Sequence, residues 1–188
     1  MVITPTATEL PDRSDLPPLP LPVEISIVLK DDFLDHPRGG WPRFALAHCG
    51  WTLTGSDLLT NLPPPRLGDV AIAHLRNVRR WWPCRPLDWS PSLAMRRLTL
   101  QWLAKRIVRA LAEGPMVRQG VYSRDIWPCL QIASATYPHA AADLRLVASQ
   151  AVWPDGAIGT FGEMVRRTRP LLIEAHRRHL HRRLDLPT

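Results

Sequence analysis

The stretch SPSLAMRRLTLQWLAKRIVRALAEGP, residues 90–115, decides how the rest of the chain is read. Ser90 is a natural helix cap, Pro91 fits the first helical position, and Gly114-Pro115 supplies a stop. Between these signals Leu93, Leu100, Leu103, Ile107 and Leu111 recur at helical spacing and form an apolar stripe. The opposite face carries Trp102, Lys105, Arg106 and Arg109 at intervals of three, four and seven. Met95 and Leu98 share that face, which points to protein packing over part of it.

Outward from this helix, the pattern stays helical on both sides. Residues 69–82 place Ala71, Leu75, Val78 and Trp82 on one stripe and Arg76, Arg79 and Arg80 on the other side, with Pro83 as terminator. Two shorter helices are expected at about 126–136 and 139–151, separated by TYPH. They read as an αα-hairpin in the core rather than a DNA-reading helix-turn-helix, because the second offers only Arg145, Ser149 and Gln150 to bases. WPDG at 153–156 is a turn, and Thr160 with Glu163 forms a capping box. The last helix then runs towards Arg183, with a kink expected at Pro170.

Before residue 56 the pattern differs. VEISIVLK at 23–30 alternates cleanly and is the best strand in the chain. RFALAHC and WTLTG, residues 43–55 around Gly50, read as a second, broken strand. Residues 1–22, ending in LPPLPLP, read as an extended proline-rich arm with polyproline II character. The expected architecture is therefore α+β and mainly α: a small N-terminal antiparallel sheet followed by about five helices. Residues 23–188 form a single globular domain in this reading.

Charge is distributed unevenly. The 188 residues carry a formal +7, yet residues 1–40 hold seven acids against three bases, and residues 41–188 hold 21 bases against ten acids. A body at +11 favours an anionic partner: nucleic acid, a phosphorylated ligand or an acidic protein. Three widely spaced cysteines, Cys49, Cys84 and Cys129, make poor material for a disulfide framework and read as small core hydrophobes in a reducing compartment. The N-terminus lacks a basic segment followed by an apolar run, and no stretch approaches membrane-spanning length, so a cytoplasmic protein is expected.

The strongest functional candidate is MVRRTRPLLIEAHRRHLHRR, residues 164–183, with seven arginines, three histidines and one acid, Glu174. Phe161, Met164, Val165, Leu172 and Ala175 project to its apolar side. Arg166, Arg167, Arg169, Arg177, Arg178, Arg182 and Arg183 are the candidate phosphate contacts. Trp102, Lys105, Arg106 and Arg109 form a second candidate surface, joining a stacking ring to cations. The competing reading of both faces is structural: solvated charge, and a cation–π pair within one helix.

Other constellations carry less. GAIGTFGE at 156–163 lacks the phosphate-loop and dinucleotide patterns and reads as a flexible loop. His176, His179 and His181 have no partner motif for metal, and no cofactor is expected. Asp31, Asp32 and Asp35 follow the first strand, where a metal-dependent nuclease could place acids, though turn-forming aspartates explain them more simply. The repeated Trp-Pro-Cys at 82–84 and 127–129 falls at a helix end and a helix start, so it reads as a boundary device with an apolar anchor. The expected function is non-catalytic: an accessory or regulatory protein binding nucleic acid through arginine–phosphate contacts. The alternatives are a protein-interaction module using arm and basic helices, or a small nuclease.

Overall fold

A computed structural model of the chain describes residues 2–4, 27–29, 31, 34, 40–50, 67–68, 70–82, 92–181, 184 and 186. The described part is mainly helical. The chain divides into two compact units, Met1–Arg66 and Leu67–Thr188.

In the first unit, β1 (Val2–Thr4) and β2 (Ile27–Leu29) pair in parallel, Val2 with Ile27 and Thr4 with Leu29. The antiparallel sheet expected here is corrected on two counts. The partner of the alternating segment comes from the arm, and RFALAHC lies in a helix, α1 (Gly40–Cys49). Ala45, Leu46 and Ala47 are strong helix formers, and Pro42 sits in the first turn, where its missing N–H costs nothing. WTLTG and the remainder of the arm lie outside the described residues. Cys49 is exposed, so its reading as core filler does not hold.

The second unit is built around α4 (Leu93–Gln119). From Leu103 to Met116 this helix is apolar on most of its circumference, with Leu103, Ala104, Ile107, Val108, Ala110, Leu111, Ala112 and Met116 all buried. A helix clothed this way must be surrounded. It packs against α2 (Ala73–Arg76), α5 (Ile126–Thr136), α6 (Ala141–Val152) and α7 (Ile158–Leu180). Leu93, read as part of the core stripe, is 45 % exposed, because the first turn of α4 extends beyond its neighbours' cover.

Several helix boundaries moved from where the residues pointed, the N-cap of α4 among them, at Ser92 rather than Ser90. Within residues 70–82 lie α2 and a second short helix, α3 (Val78–Trp81), separated at Asn77, whose side chain donates to the Ala73 carbonyl at 2.9 Å. The four residues of the expected stripe are nonetheless all buried. Gly114-Pro115 does not stop α4. Termination falls at Gly120 (φ 69°), where Val121 N–H donates to the Met116 carbonyl at 3.1 Å and Gly120 N–H to Val117 at 3.3 Å, a left-handed glycine cap. A further boundary is the start of α7 at Ile158, which places Gly159 and Gly162 inside a helix rather than in a loop. Thr160 therefore does not cap. No side chain caps α7; Asp155 instead ties its entry, accepting from Ala157 N–H and from the Thr160 hydroxyl, both at 2.8 Å. At its other end α7 stops at Leu180, with His181 left-handed, short of Arg183.

The glycine inside α4 serves close packing. A methyl at Gly114 would lie 2.3 Å from the His179 ring, which rests flat on the α4 backbone there. At Gly162 nothing lies within 4 Å. Gly114→Ala should lower stability by about 1–2 kcal/mol, overpacking outweighing the helix preference for alanine. Gly162→Ala should raise it by about 0.5–1 kcal/mol. Urea denaturation of the two variants side by side checks the pair.

The tryptophans do not behave alike. Trp82 is buried after α3, but Trp127 is 51 % and Trp153 72 % exposed, so the apolar anchor expected at each Trp-Pro pair is absent at these two.

Candidate functional site

α2 is docked on α4 by one buried carboxylate. The N-cap position of α2 is Ile72, which has no side-chain oxygen to accept from the exposed N–H groups of the first turn. Glu113 supplies the acceptor from α4. Its Oε1 accepts from His74 N–H at 3.1 Å and lies 2.5 Å from His74 Nδ1, while Oε2 accepts from Leu75 N–H at 2.8 Å. The carboxylate is 3 % exposed, so each of these bonds is made out of water. Trp81 Nε1 completes the junction by donating to the His74 carbonyl at 2.8 Å.

Position around the α4 axis separates the basic residues into two groups. At about 100° per residue, Met95, Leu98, Arg106, Arg109 and Glu113 fall within about 40° of Trp102, and Gly114 and Arg118 lie about 120° and 160° away. The first group continues into the α2 junction. The second faces α7.

On the first side, the Arg106 guanidinium lies 4.3 Å from the centre of the Trp102 ring, and Trp102 remains 45 % exposed. The segment after Gly120 folds back along α4, and Arg109 Nε donates to the Arg124 carbonyl at 2.9 Å. Ser123 holds this segment to α5, taking the Cys129 thiol on its carbonyl at 3.4 Å and the Asp125 N–H on its hydroxyl at 3.1 Å. The result gathers Arg106, Arg109 and Arg124. Burial, and then the charge of Arg124, lowers the pKa of both Arg106 and Arg109. These shifts mark guanidinium groups that repel one another in a partly desolvated place. α2 and α3 carry the exposed Arg76, Arg79 and Arg80.

The last helix presents its arginines differently. Arg166 meets Glu163 through two bonds of 2.7 and 2.8 Å, and Arg167 bridges Glu163 and Asp143 at 2.5 Å each. The hydrogen bonds from Arg166 and Arg167 hold the Glu163 carboxyl down at about 2. Arg178 pairs with Glu174, and Arg169 Nε donates to the Leu186 carbonyl at 2.8 Å. Arg177 is exposed, Lys105 is half-buried, and Arg182 and Arg183 lie outside the described residues. None of these bonds joins a described arginine of α7 to Trp102, Lys105, Arg106 or Arg109.

At the far end of α4, Arg118 Nη1 lies 2.8 Å from His179 Nδ1, and Arg178 sits 5.7 Å from the Tyr137 ring centre. Burial, followed by the charges of Arg118, Arg178 and His181, pushes the His179 pKa from 6.5 down to about 4. The ring is neutral near pH 7 and accepts from Arg118. Between these two values the unfolded chain takes up a proton that the folded protein refuses. Stability is therefore full above 6.5 and is lost as pH falls towards about 4. At this half-exposed position, screening reduces the loss to about 1–2 kcal/mol. Thermal melts of wild type and His179→Gln across that range check it, since only the wild type should show the slope.

Elsewhere, α6 and α7 enclose a cleft of about 400 Å³ with an apolar floor of Leu146, Val147 and Met164. Its rim groups Asp143, Asp155, Glu163 and Arg167 are bonded to one another or to the α7 N-terminus. Among the described residues no group of three His, Cys, Asp or Glu gathers to hold a metal. Asp31 is exposed, and Asp32 and Asp35 lie outside the described residues. No described helix is long and apolar enough to cross a membrane.

Glu113 and Arg124 have the largest structural consequence of the residues that the periodicity did not single out. Glu113 is the one acid in residues 90–115, on the stripe shared with Met95, Leu98, Trp102, Arg106 and Arg109, and that isolation was its signal. Arg124 gave none, because its place depends on how the chain returns after Gly120. Comparison with known proteins finds no matching family model, no matching curated protein and no matching solved structure.

Proposed function

We propose that this chain is a non-catalytic accessory or regulatory protein that binds nucleic acid through arginine–phosphate contacts made by α4 and the segment after it. The observation that carries this reading is the gathering of Arg106, Arg109 and Arg124 beside the exposed Trp102 ring. Cations held together at a repulsive cost bind an anion that relieves the repulsion, and guanidinium groups match phosphate oxygens in pairs. Support comes also from the unit as a whole, which holds nineteen Lys and Arg against nine Asp and Glu, a net of +10 over Leu67–Thr188. The arginines of α7 play the smaller part, since Glu163, Asp143 and Glu174 already neutralise several of them.

Fluorescence anisotropy of a labelled oligonucleotide, titrated with the full chain over a range of salt, tests the reading. Micromolar or tighter binding that weakens steeply with salt is expected. Absence of binding at low salt would overturn it.

A second reading draws on one specific observation. Met95 and Leu98 are 50 % and 57 % exposed beside Trp102, an apolar strip of the kind that docks a protein. In a protein-interaction module the basic surface would meet an acidic partner and the proline-rich arm a groove. Capture of a partner that depends on residues 1–22 would favour this reading, because nucleic-acid binding is indifferent to their removal.

A further inference from the structure

The surface around Trp102 contains two kinds of group in one stripe, and their combination selects among nucleic acids. Arg106 covers one side of the indole at 4.3 Å, and Trp102 as a residue is 45 % exposed. Arg109 follows along the same side of the helix with its Nε on the Arg124 carbonyl, and the Arg124 charge lies near enough to act on both Arg106 and Arg109. From Trp102 to Arg109 the axial distance is about 10 Å, the length of a few nucleotides of backbone. A base stacked on the open indole would therefore bring its neighbouring phosphates to the three guanidinium groups.

A duplex cannot use this arrangement. Its bases are already stacked and paired, and it shows a protein only their edges and the phosphates. An aromatic face lying along the side of a helix offers those edges nothing, whereas every unpaired base has a face to stack. Arg106 beneath the ring strengthens the platform, since the cation orders the indole and leaves its outer face for the base. The apolar Met95 and Leu98 extend the strip towards the start of α4, where a second base can rest.

We infer that the chain prefers single-stranded nucleic acid, stacking a base on Trp102 while Arg106, Arg109 and Arg124 hold the adjoining phosphates. This inference rests on the nucleic-acid reading above and narrows it to one class of ligand.

The test uses the full chain with a mixed-sequence oligonucleotide, either single-stranded or annealed to its complement, at one salt concentration. The single strand should bind at least about tenfold more tightly. Trp102→Ala should weaken single-strand binding about 5- to 150-fold and leave duplex binding unchanged, and Trp102→Phe should retain most of the affinity. Thermal melts establish that both variants are folded, as expected for a half-exposed side chain. Equal binding of single strand and duplex, or no effect of Trp102→Ala on the single strand, would overturn the inference and leave the phosphate reading standing. If neither form binds, both fall together.

Discussion

Glu113→Ala should destabilise the helical unit by about 3–5 kcal/mol, the largest stability effect expected of any polar substitution here. Alanine removes the acceptor for the N–H groups of His74 and Leu75 and the partner of His74 Nδ1 together, in a place that water does not reach. Buried donors without partners are costly, and Ile72 cannot substitute as a cap. The loss then spreads, because α2 and α3 bring Leu75, Val78 and Trp81 into the core. Glu113→Gln separates the contributions: it keeps a carbonyl oxygen but turns an NH2 towards a backbone donor, and should lose about half as much. Urea denaturation followed by far-UV circular dichroism reads both. A loss below about 1 kcal/mol for Glu113→Ala would mean that the junction does not hold α2.

Arg106→Gln combined with Arg109→Gln should weaken nucleic-acid binding about 30- to 150-fold at low salt. The estimate takes about 1–1.5 kcal/mol for each charge-assisted contact to phosphate. Glutamine keeps the inner methylenes of the side chain and their packing, so the fold should survive. The same number of charges removed from α7, by Arg166→Gln with Arg167→Gln, should change affinity only about 2- to 5-fold, because Glu163 and Asp143 already hold those two guanidinium groups. That double variant strips Glu163 of the bonds that keep its carboxyl at about 2. The carboxyl then returns towards its ordinary value, so the loss of stability that Glu163 causes in the wild type as pH falls from 4.5 towards about 2 should be absent from the variant.

How much of this was legible beforehand varied with the range of the determining contact. Periodicity found α4, α5, α6 and α7, because an apolar stripe at helical spacing is a local property that the core then uses. Helix ends were read less well. Gly114-Pro115 looks like a stop, but the cost of an interior proline was outweighed by burial of Met116 and by the Gly120 cap, and the glycine serves the approach of His179 from 65 positions away. RFALAHC alternates enough to pass for a strand, although its alanines and leucine suit a helix equally well.

The candidate site shows the same division. Trp102, Arg106 and Arg109 share a face by arithmetic on the sequence. Arg124 joins them only because the chain turns back at Gly120. On α7 the count of arginines exaggerated the free charge. Glu163 pairs with arginines three and four positions on, which spacing alone permits, but Asp143 reaches Arg167 from another helix.

The most direct test of α4 as the binding surface is the salt dependence of oligonucleotide affinity in three proteins: wild type, the Arg106→Gln/Arg109→Gln variant and the Arg166→Gln/Arg167→Gln variant. Loss of two phosphate contacts should make the log–log slope shallower by about 1.4 in the α4 variant on a single strand, and leave it nearly unchanged in the α7 variant. A wild-type slope retained by the α4 variant, or a drop found only in the α7 variant, would contradict the assignment of binding to α4.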